Sequence, residues 1–317
     1  MGNLTTQIKS LAYAAGFELV GVAPAGRLPH ASYLRDWLDR GWGGDMTYLK
    51  RNIEERIDPT KLLPQARSVI CLGMNYHQGD FPTPYKDGES PAVGRVARYA
   101  WGKDYHKIIK KKLTKLQRQI EAIVGRSIAA KACVDSVPLL EKELATRAGI
   151  GWMGKNTCVI NESMGSYFFL AELITELDLE FDGLALDRCG NCTACIDACP
   201  TQAIEPYQLN ASRCISYFTI ELRGDIPEEF HRQIGDWAFG CDICQEVCPW
   251  NRKAPSLVDE KLAMLPGSPF VDLVELVQMR QQEYQVRFAG RALKRARLEG
   301  LQRNAIVVMA NAREGPK

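Results

Sequence analysis

Eleven cysteines stand in this 317-residue chain, and eight of them fall between Cys189 and Cys248. The first group reads CGNCTACIDACP, with Cys189, Cys192, Cys195 and Cys199 followed by Pro200. In this C-x2-C-x2-C-x3-C-P run, three closely spaced thiolates can wrap three irons of one cubane. The fourth, held at a chain-turning proline, points to a neighbouring cube. The second group, CDICQEVCPW, repeats the ending with Cys241, Cys244, Cys248 and Pro249 but lacks one cysteine. Cys214 lies between the groups and can supply it. The arithmetic closes on two [4Fe–4S] clusters: Cys189, Cys192, Cys195 and Cys248 for one, Cys199, Cys214, Cys241 and Cys244 for the other. Zinc also accepts paired C-x2-C spacings, but nothing in zinc chemistry asks for the doubled C-P ending. Two adjacent cubanes imply one-electron transfer; a purely structural role is the alternative. Cys71 and Cys158 are expected as buried hydrophobes, and Cys133 as packing below a site.

The rest of the composition is ordinary for a globular chain, at 46% hydrophobic and 25% charged residues. No basic segment followed by an apolar core opens the sequence, and no apolar run is long enough for a membrane helix. The expectation is a cytoplasmic protein with no membrane partner, whose clustered thiols are metal ligands before they are disulfides. The net charge of +2 hides a polarity. Residues 281–317 hold eight basic and three acidic side chains, a local +5, which leaves −3 for the rest.

These residues need elements to position them. Apolar periodicity predicts helices over Asn3–Gly16, Ala31–Arg40, Tyr105–Val124 and Leu139–Ala148. Strands are predicted at Phe17–Val22, Ser68–Met74, Ile128–Val134 and Tyr167–Leu173. Gln78–Pro91 reads as loop, and Ser268–Gln281 and Gly290–Ala312 as helices. The alternation implies an α/β domain with a buried sheet ahead of the cysteine region. The lysines of Tyr105–Val124 read first as a solvated face, with an anionic partner as the lesser reading. No phosphate-binding G-x-G-x-x-G follows a strand, and no Walker loop is present. Instead Arg147–Ile160 (RAGIGWMGKNTCVI) is glycine-rich. Gly151, Gly154, Lys155 and Asn156 could hold a phosphate or the amides of a large cofactor, unless the glycines serve only a turn.

Four further pieces join the two cysteine groups to carry a resemblance: Ala97–His106 (ARYAWGKDYH), Val134–Asn156, Arg213–Glu221 (RCISYFTIE) and Arg291–Val307. In this order and combination the chain resembles the epoxyqueuosine reductases, cobalamin-dependent enzymes of the last step of tRNA queuosine synthesis. The paired clusters and glycine-rich loop are also similar to the reductive dehalogenases, which usually carry an export signal not seen here.

The resemblance implies a three-part, mixed α+β and α/β chain. Residues 1–185 would form an α/β cobalamin-binding catalytic domain, 186–255 a ferredoxin-like domain with two [4Fe–4S] clusters, and 256–317 a short basic HEAT-like helical segment. The clusters, fed by a low-potential electron donor, would pass single electrons to cobalt. Cobalt(I) would reduce the epoxide at the tRNA wobble position. Asp135 is the implied proton donor, kept protonated by desolvation beside the corrin; alternatively it caps the helix starting near Pro138. Arg56, Tyr99, Asp104, Tyr105, His106, Ser212 and Ser216 are the remaining implied cofactor contacts, with Gly151, Gly154, Lys155 and Asn156. Arg287, Arg291, Lys294, Arg295, Arg297 and Arg303 are expected to bind tRNA phosphates; a solvated basic helix is the alternative. Two other functions fit the cysteines: reductive dehalogenation of a small organohalide, and electron transfer without catalysis.

Overall fold

The computed structural model describes residues 3–82, 92–256 and 259–314. Most of the expected Gln78–Pro91 loop, and Lys317 of the basic tail, lie outside the described residues.

Four strands form the main sheet, in the order Leu19–Pro24, Ser68–Asn75, Phe168–Thr175, Ala130–Cys133. Every pairing in it is antiparallel. The helix–strand alternation of the sequence therefore builds a helix-covered antiparallel sheet, an α+β arrangement. Ser68–Asn75 is buried at every position, which is why it reads as an unbroken apolar run rather than as alternation. Its Ile70, Leu72 and Met74 face one core with the Leu4–Ala14 and Tyr105–Val124 helices. Its Val69 and Cys71 face the other core, with the Glu141–Arg147 helix.

Tyr105–Val124 forms as its periodicity predicts. Asp104 caps it by accepting the His106 N–H at 3.0 Å, and Gly125 ends it with φ 75°. Ile109, Leu113, Leu116 and Ile120 are fully buried against the sheet, each stabilising the fold by ~1.5–3 kcal/mol. Its N-terminal turn delivers Tyr105 and His106 to the end of the sheet where Cys133 leads into Asp135.

The three sequence segments share a second sheet. Trp237–Phe239, Val93–Val96 and Phe270–Asp272 pair in that order, one strand from each segment. The C-terminal residues bury Leu293, Leu301, Ala305 and Val308 in the same core as Trp101, Phe218 and Phe239. Packing thus crosses the linear division at 185 and 255. The helix expected over Ser268–Gln281 is a strand at Phe270–Asp272 and a helix at Leu273–Gln278. Asp272 accepts the Glu275 N–H at 2.8 Å, so the helix starts only after it. The helix expected from Gly290 begins as a 3-10 turn, Ala292–Ala296, and breaks at Arg297 with φ 63° before continuing to Glu314.

A buried ion network ties the second cysteine group to this sheet. Arg98, 4% exposed, donates its backbone N–H to Asp242 at 2.7 Å and its guanidinium to Glu246 at 2.8 Å. Asp242 is buried between Cys241 and Cys244, and its carboxyl is pushed up to about 6, mainly by burial. Replacing Arg98 with methionine strands that carboxylate. The expected loss is ~3–5 kcal/mol of folding stability, read by anaerobic urea denaturation of the cluster-loaded protein.

Candidate active site and cysteine cage

Two short helices, Ala194–Asp197 and Ile243–Glu246, carry the two cysteine groups and pack against each other. Burial, then the nearby charges of Cys248, Cys189 and Cys192, push the Cys195 thiol up to about 11. Cys241 is raised by burial and senses Cys214 and Cys199. Cys244 senses Cys241 and Cys214 as well. Each group's last cysteine, Cys199 or Cys248, is within electrostatic reach of thiols of the other group. Two sets of four sulfur donors fit the donor chemistry of two cubanes.

One thiol is not where the sequence put it. Cys158 is half-buried rather than an inert core residue, and Cys244 comes first among the influences that lower its thiol below the ordinary range. Cys71 and Cys133 are buried as expected.

The glycine-rich segment faces the cysteines rather than an open cavity. A Cβ on Gly151 would stand 2.2 Å from the Ile160 carbonyl oxygen, and one on Gly154 would stand 2.5 Å from Ile160 Cδ1. Both glycines let the Trp152–Met153 and Val159–Ile160 strands close on each other. Lys155 donates to the carbonyls of Gly190 and Cys192 at 2.7 and 3.0 Å. Asn156 donates to the Cys244 carbonyl at 3.2 Å. The donors expected for a cofactor therefore brace the cluster loops, because the segment folds back as a hairpin.

Asp135 is the centre of a different network. The Tyr105 hydroxyl donates to Asp135 Oδ2 at 2.6 Å, and His106 Nε2 lies 3.4 Å from the same oxygen. On its other side His106 Nδ1 meets Asp104 Oδ1 at 2.7 Å. The Asp135 side chain is 58% exposed. Its protonation differs from the expectation. The His106 hydrogen bond holds the Asp135 carboxyl below the ordinary carboxylate range, outweighing desolvation. His106 is pushed up to about 9, first by Asp104 and then by Asp135. With His106 raised and Asp135 lowered, the pair favours a proton on His106 and an ionised Asp135 near neutral pH. The sequence reading considered only desolvation; folding supplied a cation.

Around this network stand the other implied contacts. Tyr99 lies edge-on to Tyr105, with ring centroids 6.4 Å apart, and burial pushes its hydroxyl far up. Arg56 reaches the Tyr48 carbonyl at 3.4 Å, and its buried Nε has no partner. An unsatisfied guanidinium N–H near Glu141 and Tyr48 fits the carbonyl or phosphate oxygen of a large ligand. Ser212 gives its hydroxyl to Asn210 at 2.6 Å, whereas Ser216 hydrogen-bonds to Cys214. Both serines thus have partners within the protein.

A family model described as epoxyqueuosine reductase QueG, DUF1730, matches residues 56–136. A 4Fe-4S double cluster binding domain matches residues 188–251. The epoxyqueuosine reductase of Leadbetterella byssophila is 42% identical over 312 residues, 97% of this chain and 99% of the relative. The chain belongs to the epoxyqueuosine reductase family. Solved structures agree with that membership. An epoxyqueuosine reductase with an epoxyqueuosine-modified tRNA-Tyr stem loop superposes with a TM-score of 0.88 at 32% identity, over 98% of this chain and 82% of that one. The Bacillus subtilis epoxyqueuosine reductase, with its catalytic aspartate loop swung out of the active site, gives 0.87 at 32% identity over the same shares.

Relative to the family expectation for tRNA, the basic tail divides. Arg303 is turned inward, donating to the carbonyls of Phe218, Leu222 and Gly224. Arg291 is buried and bonded to Ser268, and Arg287 is paired with Glu275. Arg295 forms a two-bond pair with Glu221, at 2.8 and 2.7 Å. Lys294 donates to Gln285 at 2.6 Å, and Arg297 is exposed at the helix break. Because that break interrupts the helix, the six do not share one basic face. Sequence reasoning missed Tyr48, Glu221, Glu141 and Glu172 around the site. Only the acid-rich start of the Glu141–Arg147 helix gave any signal of them.

Proposed function

We propose that this chain reduces the epoxide of epoxyqueuosine at the tRNA wobble position to the cyclopentene of queuosine. Two electrons and two protons enter, one C=C bond forms, and the epoxide oxygen leaves as water. The observation that carries the reading is the Tyr105–Asp135–His106–Asp104 network, placed in one fold with eight grouped thiols. Cobalamin, when bound, would supply low-valent cobalt as the reductant, and the two [4Fe–4S] clusters would supply electrons to it.

The chain's own residues handle the proton and the fit. His106 stores a proton that neighbouring Asp135 orients toward the opening oxygen, and Tyr105 fixes the carboxylate. Arg56, Tyr99 and Tyr105 are the side chains we assign to the corrin. The clusters take Cys189, Cys192, Cys195 and Cys248, and Cys199, Cys214, Cys241 and Cys244. A low-potential electron donor completes the system. Among the described residues no helix is long and apolar enough to cross a membrane. We read residues 256–317 as a short HEAT-like helical segment, supported by the packing of Leu273–Gln278 on Arg297–Glu314.

Arg297 and Lys294 are the best placed of the basic residues for a phosphate backbone. Arg297→Glu should weaken tRNA binding at every sequence context and lower the salt slope by about one. An unchanged slope removes Arg297 from the interface. The function itself is tested by anaerobic reconstitution with cobalamin, epoxyqueuosine-tRNA and a low-potential reductant, followed by nucleoside mass spectrometry. No queuosine despite intact clusters and bound corrin overturns it.

A further inference from the structure

Below the Asp135 loop lie two carboxyl groups that the chemistry above does not use. Glu172, on the Phe168–Thr175 strand, is fully buried, and neither of its side-chain oxygens meets a donor group. Its strand register sets it between Cys71 and Cys133, both buried thiols. The helix Glu141–Arg147 packs on this face of the sheet and starts with Glu141. The Glu141 and Glu172 carboxyl groups are electrostatic neighbours there. Glu141 Oε1 also accepts the backbone N–H of Asp135 at 2.7 Å. That residue is the centre of a tight turn closed by Ser136 N–H on the Val134 carbonyl, with φ 52°. Non-glycine residues rarely adopt such a conformation unless something holds them there.

Two neighbouring carboxyl groups in an apolar layer strongly disfavour being ionised together. One proton between them converts repulsion into a hydrogen bond. We propose that Glu172 is protonated and donates to Glu141, and that Glu141 in turn latches the Asp135 N–H, so that this acid pair positions the catalytic loop. Burial raises both groups above the ordinary carboxylate range. Asp135 and His106 face the pair from above, Arg56 faces Glu141 from the side, and Cys71 and Cys133 flank Glu172. Arg56 is the permanent cation among them, and it neighbours Glu141 rather than Glu172. Glu141 and Glu172 are positioning residues, acting through Asp135. The proposal rests on the reading of Asp135 as part of the proton-delivering pair.

The test uses amide exchange in the full-length protein as well as turnover. Glu141→Leu removes the acceptor. Exchange over residues 134–137 should rise at least ~10-fold, and kcat should fall ~10²-fold with the KM for tRNA little changed. Glu172→Gln keeps a permanent donor to Glu141. It should retain wild-type exchange and kcat at pH 7. It should also keep the loop protected at alkaline pH, where the wild-type pair loses its shared proton and opens. Should Glu141→Leu not fold, Glu172→Leu still removes Glu141's donor and should loosen the same segment. Wild-type exchange in either leucine variant, or a Glu172→Gln protein that opens with pH as the wild type does, overturns the latch. The underlying reading fails separately: undiminished turnover in Asp135→Asn removes Asp135 from the proton-delivering pair while leaving the exchange result to stand alone.

Discussion

Replacing Asp135 with asparagine should lower single-turnover queuosine formation by ~10²–10⁴-fold, with cobalamin and both clusters still bound. The side chain keeps its shape and one acceptor oxygen but can no longer relay a proton. Tyr105 retains an oxygen to bond, so the site should not collapse. A second readout separates proton handling from packing. Asp135 is one of two carboxylates that raise His106, the other being Asp104. Removing its charge should bring the imidazolium down from about 9. The sign follows from which form works. The protonated histidine is present at neutral pH and is lost as pH rises, so the alkaline limb of the rate profile should move to lower pH in the variant. A rate profile of unchanged shape and height would remove both residues from the proton path.

The second large effect concerns which thiols share a cluster. Cys248→Ala should cut iron from ~8 to ~4 atoms per chain. Its surviving cluster should give the same electron paramagnetic resonance spectrum as that of Cys192→Ala, not that of Cys244→Ala. Cys199→Ala should pair with Cys241→Ala in the same way. The reason is proximity across the motifs. Cys195 senses Cys248, and Cys241 senses Cys199, although about fifty and forty residues separate them in sequence. If each motif instead kept its own four thiols, the Cys248→Ala spectrum would match Cys244→Ala. Either outcome is read from the spectrum, independently of turnover.

Much of the fold was legible, for a physical reason that differs by element. Tyr105–Val124 was predicted to the residue because one buried stripe, a capping aspartate and a terminal glycine all agree. Ser68–Asn75 was visible because burial on both faces demands an unbroken apolar run. The pairing direction was not visible: helix–strand alternation is compatible with parallel or antiparallel neighbours, and the register across Ser68–Asn75 settles it. At the tail, local periodicity continued through Arg297, but its positive φ broke the helix and turned several arginines toward internal partners.

By itself the sequence determined the thiol count, the two spacings, and the presence of Asp135 and of the Asp104-Tyr105-His106 run. Those are local or combinatorial properties, written in residue types and intervals. Only the tertiary structure decided where protons and contacts go. It put the proton on His106, set Cys158 against Cys244, turned Lys155 and Asn156 toward the clusters, and pressed Glu141 against Glu172. Protonation depends on burial and on the charges that distant segments bring within hydrogen-bond reach, and neither quantity exists until the chain has folded.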